Sequence, residues 1–142
     1  MTTANNTSDL LIVGAGPTGL AAALDARRHG LSVRIVERRS ERAEYSKALV
    51  VHARTMEVFE RLGCAEEVRA AGAQFRALHV HTRPGKASTR VDLIDRNWGD
   101  TRYPYWLSVP QYEVERVLEH QLRLAGVHVE WSTTLKIGRA HV

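Results

Sequence analysis

Near the N-terminus, Gly14-Ala15-Gly16-Pro17-Thr18-Gly19 sets three glycines at the spacing Gly-x-Gly-x-x-Gly, and Glu37 follows eighteen residues beyond the last of them. The chemistry this pattern suits is the holding of a pyrophosphate and the ribose next to it. The first glycine permits a tight turn, the second lets the backbone approach the phosphates without a Cβ in the way, and the third lets helix and strand pack closely. Backbone N–H groups and the positive end of a helix dipole then face the phosphates. A carboxylate at Glu37 is placed to accept hydrogen bonds from both adenosine ribose hydroxyls, whereas the adjacent Arg38 and Arg39 suit a ribose 2′-phosphate. These residues alone do not choose between FAD and NAD(P).

Such a loop works only when a strand delivers it and a helix opens from it. Leu10 to Val13 is a continuous apolar run, as expected of a strand buried in a parallel sheet. Pro17 suits the first turn of a helix, where its missing N–H costs nothing, and that helix is expected to run to about His29. Basic Arg27, Arg28 and His29 complement its C-terminal dipole, and Gly30 stands at the cap. A second strand, Ser32 to Val36, ends at Glu37 and closes a βαβ unit, the context that gives the glycine spacing its meaning.

Further along, Ala48 to Val51 is apolar and β-branched, and Ala53, Met56, Phe59 and Leu62 recur every three residues, predicting an extended piece and then a helix stopped by Gly63. Phe75 to Thr82 and Ser88 to Ile94 flank the turn residues Arg83-Pro84-Gly85-Lys86, which predicts a β-hairpin. Val114, Val117, Leu118, Leu122 and Ala125 mark one helical stripe after Gln111, Gly126 stops it, and Val127 to Trp131 alternates as a strand. The expected fold is α/β: a Rossmann-like βαβ dinucleotide-binding domain with a parallel sheet and a β-hairpin insertion.

Composition bounds the alternatives. With 142 residues, 44% hydrophobic and 25% charged, the chain suits a single core. No run approaches the roughly 18 to 20 apolar residues of a membrane span, and residues 1–8 form a polar, flexible leader rather than a signal peptide, so the expected location is cytoplasmic. The net charge of +4 raises a nucleic-acid partner. The arginines are scattered, however, and Arg54, Arg61 and Arg69 interleave with Glu57, Glu60, Glu66 and Glu67 as on a solvated helix face, so no nucleic acid is expected. The lone Cys64 has no local ligand set and is read as a packed thiol. His79 and His81 share one face of a hairpin strand but lack a third ligand, so no metal is expected. Tyr103-Pro104-Tyr105-Trp106 concentrates aromatic side chains, either lining a pocket or packing under a loop.

Four stretches make the reading more specific: Gly14 to Gly19; Val36-Glu37-Arg38; the run from Lys47 through Ala48, His52 and Arg54 to Glu57; and Pro110-Gln111-Tyr112-Glu113-Val114-Glu115. Together they resemble the N-terminal part of the FAD-dependent aromatic-ring hydroxylases, the monooxygenases with the fold of para-hydroxybenzoate hydroxylase. The resemblance runs to about Leu135. It implies that Gly14, Gly16, Pro17, Thr18 and Gly19 hold the FAD pyrophosphate, that Glu37 with neighbouring Arg38 meets the adenosine ribose, that Lys47 lies near the phosphates and that Gln111 contacts the cofactor. Lys47 departs from the more usual arginine, keeping the charge without the planar fork. The implied reaction is reduction of the flavin by NADPH or NADH, followed by oxygen-dependent hydroxylation of a small aromatic, phenolic substrate. The cofactor carries that chemistry, so no catalytic side chain is named.

Members of that family run to several hundred residues, so residues 9–135 are expected to be the N-terminal part of a FAD-binding domain, inactive alone. Residues 136–142 depart from the family pattern and can be read as the translation of a common sequencing-library adapter, so a non-native tail is expected there, the alternative being a native one. The competing readings are an NAD(P)-dependent or other flavin oxidoreductase, and a stand-alone nucleotide-binding module.

Overall fold

A computed structural model describes residues 7–42, 49–81, 89–93 and 98–136. Along the chain these form β1 (Leu10–Val13), α1 (Pro17–Arg28), β2 (Val33–Val36), β3 (Val50–Val51), α2 (Ala53–Arg61), α3 (Ala65–Ala70), β4 (Ala73–Gln74), β5 (Ala77–Val80), β6 (Thr89–Asp92), β7 (Leu107–Ser108), α4 (Gln111–Leu124) and β8 (Val129–Glu130). They gather into two compact units, Met1–Tyr45 with Val114–Val142, and Ser46–Glu113.

The first unit is built on the expected βαβ. β1 and β2 pair in parallel, with Leu10 opposite Val33 and Val13 opposite Val36, and β8 adds to the other side of β2 in parallel, giving the order β1-β2-β8. Leu10, Ile12, Val33 and Ile35 therefore share one face and Leu11, Val13, Arg34 and Val36 the other, because successive side chains alternate across a strand. α1 packs on the first of these faces: a Cβ added at Gly19 would lie 3.3 Å from Ile12 Cγ2. Leu20 and Ala23 of α1, Ile35 of β2 and Val117, Leu118 and Leu122 of α4 are fully buried. Across the second face Arg34 bonds Glu130 through both carboxylate oxygens, at 2.8 and 2.7 Å, tying β8 to β2. At the opposite end from the glycine loop, Asp9 accepts from the Ser32 N–H and hydroxyl at 2.8 and 2.6 Å.

In the second unit β7 lies between β3 and β4, antiparallel to both. Leu107 pairs with Val51 and Gln74 and is buried, so its face belongs to the core with Met56 and Phe59 of α2, Val68 of α3, and Val109. β5 and β6 form the expected hairpin, Ala77 opposite Asp92 and Val80 opposite Thr89; its turn residues fall outside the described residues. Residues 65–70 form α3, carrying Glu66, Glu67 and Arg69 of the charge pattern that reads as a solvated helix face, whereas the short pairings of β4 and β7 have no local signal.

Candidate functional site

β1 delivers the chain to a turn that only a glycine makes without strain. Gly14 has φ +106°, and its N–H donates to the Val36 carbonyl at 2.8 Å, so the turn stays tied to the end of β2. Gly16 follows in an extended conformation as the N-cap of α1, and Pro17 opens the helix. Gly16 offers no side chain to cap this helix, and among the described residues the first-turn N–H groups of Thr18 and Gly19 meet no side-chain partner. A Cβ at Gly16 would point into open space, with no atom within 4 Å, whereas a Cβ at Gly19 would lie 2.0 Å from the Gly14 carbonyl oxygen. The two glycines thus do different work: Gly19 permits close packing inside the protein, and Gly16 keeps the surface of the loop bare.

Glu37, buried at the end of β2, binds the loop with its side chain. The Ala15 N–H donates to Oε2 at 2.9 Å; the Arg39 N–H and Nε–H donate to Oε1 at 3.0 and 3.2 Å. Burial by itself pushes the Glu37 carboxyl up, but the Ala15 and Arg39 N–H groups and the Arg39 guanidinium outweigh it and hold the carboxyl below its ordinary range. The carboxylate is therefore charged at neutral pH. Its backbone is held as well: the Glu37 N–H donates to the Glu130 carbonyl at 3.0 Å, and its carbonyl accepts from the Thr133 N–H at 2.9 Å.

A groove of about 280 Å³ opens here, lined by Val13, Gly14, Glu37, Arg38, Thr133, Thr134 and Leu135. It lies at the carboxyl ends of three parallel strands, the end at which open α/β sheets take their ligands. Gly14, Gly16, Pro17, Thr18, Gly19, Glu37 and Arg38 are thus brought to one end of one sheet. Lys47 falls outside the described residues. Gln111 opens α4 and belongs to the second unit. Thr133, Thr134 and Leu135 were not anticipated in the groove. The signal for them was the strand ending near Trp131, but only its pairing with β2 brings the following residues to Glu37.

The second unit carries a different surface. Continuing the β3–β7 register by one residue sets His52 opposite Trp106, and their rings meet edge to face at 5.2 Å. On the other side of β7, the Phe75 N–H donates to the Trp106 carbonyl at 2.9 Å, and Trp98 packs edge-on against Trp106 at 5.8 Å. The aromatic concentration at Tyr103 to Trp106 accordingly splits. Tyr103 is buried and meets Tyr105 edge to face, while Trp106 stays half-buried on this sheet face. Among the described residues, no group of three or more His, Cys, Asp or Glu side chains is placed to hold a metal, and no helix is long and apolar enough to cross a membrane.

Comparison with known proteins places these features in context. The profile of the family described as FAD binding domain matches residues 7–140. Anhydrotetracycline monooxygenase of Streptomyces rimosus is 40% identical over 132 residues, covering 93% of this chain and 24% of its own length. Pentachlorophenol 4-monooxygenase of Sphingobium chlorophenolicum is 35% identical over 127 residues, covering 89% and 23%. Among solved structures, a ternary complex of aklavinone-11 hydroxylase with FAD and aklavinone superposes with a TM-score of 0.81 at 28% identity, covering all of this chain and 28% of that one. The chain therefore spans about a quarter of the length of these relatives.

Proposed function

The chain belongs to the FAD binding domain family, and on that premise we propose that it is the FAD-binding portion of an NAD(P)H-dependent flavin monooxygenase that hydroxylates an aromatic, phenolic substrate. The observation that carries the proposal is the pairing of a bare glycine loop with a buried, charged Glu37 at the carboxyl ends of three parallel strands. The uncapped N-terminus of α1 suits the pyrophosphate, with the N–H groups of the first turn as donors. Glu37 suits the adenosine ribose, and the groove of Arg38, Thr133, Thr134 and Leu135 beside it suits the adenosine. Lys47 and Gln111 are assigned to the phosphates and to the cofactor by resemblance.

The residues present fit the ADP half of the cofactor: a Cβ at Gly16 would meet no atom of the protein, and its φ of −78° is open to other residues, so its bareness suits a pyrophosphate lying against the backbone. A flavin held there by these residues would supply the redox chemistry with NAD(P)H, oxygen and an aromatic ring. What these residues contribute is anchorage. The loop and helix terminus neutralise phosphate charge, and Glu37 fixes the ribose. The aromatic substrate rests on relatives whose names are those of polycyclic and phenolic monooxygenases.

The test is spectroscopic. The protein carrying this domain is expected to retain a flavin with visible absorption bands through gel filtration and to oxidise NAD(P)H in response to a phenol, with a hydroxylated product. A colourless protein that binds NADP would replace this reading with that of a dehydrogenase.

A further inference from the structure

Glu37 meets more donors from its own chain than ribose recognition through two hydroxyls can accommodate. An ionised carboxylate offers about four lone-pair positions, two on each oxygen. On Oε1 both are taken, one by the Arg39 N–H at 3.0 Å and one by Arg39 Nε at 3.2 Å. On Oε2 one is taken, by the Ala15 N–H at 2.9 Å. One position is left. The Arg39 backbone is itself fixed, since its carbonyl accepts from the Ser132 N–H at 2.8 Å. Arg39 is absent from the lining of the groove, so its guanidinium approaches Glu37 without blocking the groove that Glu37 and Arg38 border.

We propose that Arg39 is a specificity-determining residue that restricts Glu37 to a single ribose hydroxyl, leaving the other hydroxyl of the adenosine ribose without a carboxylate partner. The inference deepens the dinucleotide reading given above and rests on it. Arg39 acts through Glu37: it saturates one carboxylate oxygen and leaves the other to the ligand. The ligand class is an adenosine diphosphate moiety, and the consequence is a site that discriminates sharply at one ribose position and weakly at the other. Substituting Arg39 by methionine keeps the apolar stem and removes the Nε donor, which opens a second acceptor on Oε1.

The experiment is titration of the unmodified chain with ADP, 2′-deoxy-ADP and 3′-deoxy-ADP, followed by the same three ligands with Arg39→Met. In the unmodified chain one deoxy analogue is expected to bind roughly tenfold or more weakly than ADP, as for loss of a hydrogen bond to a charged acceptor, and the other to match ADP. In Arg39→Met both analogues are expected to fall behind ADP. Equal losses for both analogues in the unmodified chain would overturn the proposal, because Glu37 would then hold both hydroxyls. No loss for either, with ADP still bound, would overturn it too, while leaving the phosphate side of the site standing. Failure of ADP to bind at all would remove the dinucleotide reading and this inference with it. The ligand series on the unmodified chain needs no substitution, so a folding defect in Arg39→Met cannot mask whether Glu37 holds one hydroxyl or two; a folded Arg39→Met that still discriminates against only one analogue would overturn the role given to Arg39.

Discussion

Glu37 couples the proposed ligand chemistry to folding, because the carboxylate we assign to a ribose also fastens the glycine loop to the end of β2 through the Ala15 N–H. Its carboxyl is held below the ordinary value of 4.5 in the folded protein, so the charged form favours folding. That stabilisation is fully present above the unfolded value and is lost as pH falls through the lower, folded one. Urea midpoints measured from pH 7 down to pH 3 are expected to fall more steeply for the unmodified chain than for Glu37→Gln; parallel curves would show that the carboxylate contributes nothing. The glycines divide in the same way. Gly19→Ala drives a Cβ into the Gly14 carbonyl and is expected to lower stability by about 1 to 3 kcal/mol, the usual cost of overpacking. Gly16→Ala meets no atom and is expected to leave the urea midpoint nearly unchanged. For ligand binding the ranking reverses for larger side chains. In the longer protein that carries this domain, Glu37→Ala is expected to weaken flavin retention by about 1 to 3 kcal/mol, and Gly16→Val to weaken it more. The residue types and spacing made the glycines and Glu37 legible in the sequence. That Ala15 and Arg39 fill the same carboxylate was not, because hydrogen-bond partners follow from backbone geometry and not from spacing.

At the scale of elements, legibility followed the range of the interactions. β1, α1 and β2 are contiguous, and their apolar runs, Pro17 and the Gly30 stop announce them locally. The stripe of Val114, Val117, Leu118 and Leu122 announced α4 in the same way, and all four are buried. β3, β4 and β7 are two residues each and exist only because β7 finds partners more than thirty residues away, a pairing that no local pattern carries. The position of β8 is of the same kind: its strand was foreseen, its place beside β2 was not, and Thr133 and Thr134 enter the groove only through that place. The Arg34–Glu130 pair crosses this junction with both carboxylate oxygens engaged. Both side chains are more than a third exposed, so solvent screens the pair and its coupling is expected to be small. A double-mutant cycle of Arg34→Ala and Glu130→Ala by urea unfolding measures it directly. A coupling indistinguishable from zero would leave the backbone pairing alone to hold β8 in register.

For the molecule as a whole, the decisive quantity is how much of a dinucleotide the chain can grip. The groove, the glycine loop and Glu37 all lie in the first unit, at one end of its sheet, and suit an ADP moiety; nothing in that set addresses an isoalloxazine ring. The relatives that share this part are about four times as long. Among the described residues β1 is an edge strand of the parallel sheet, with Leu11 and Val13 well exposed on the face they share with Arg34, and exposed apolar side chains on an edge strand invite association. Two expectations follow for the 142-residue chain taken by itself. Its affinity for FAD should lie close to its affinity for ADP, since the flavin half adds few contacts, and it should be prone to association at high concentration. Titration of the purified chain with ADP and with FAD under identical conditions checks the first, and light scattering against concentration checks the second. In the same preparation, a phenol should cause no NAD(P)H oxidation. Stoichiometric FAD binding far tighter than ADP binding, with substrate-dependent turnover, would show that these residues hold the whole cofactor, and the assignment of this chain to the ADP half alone would fall.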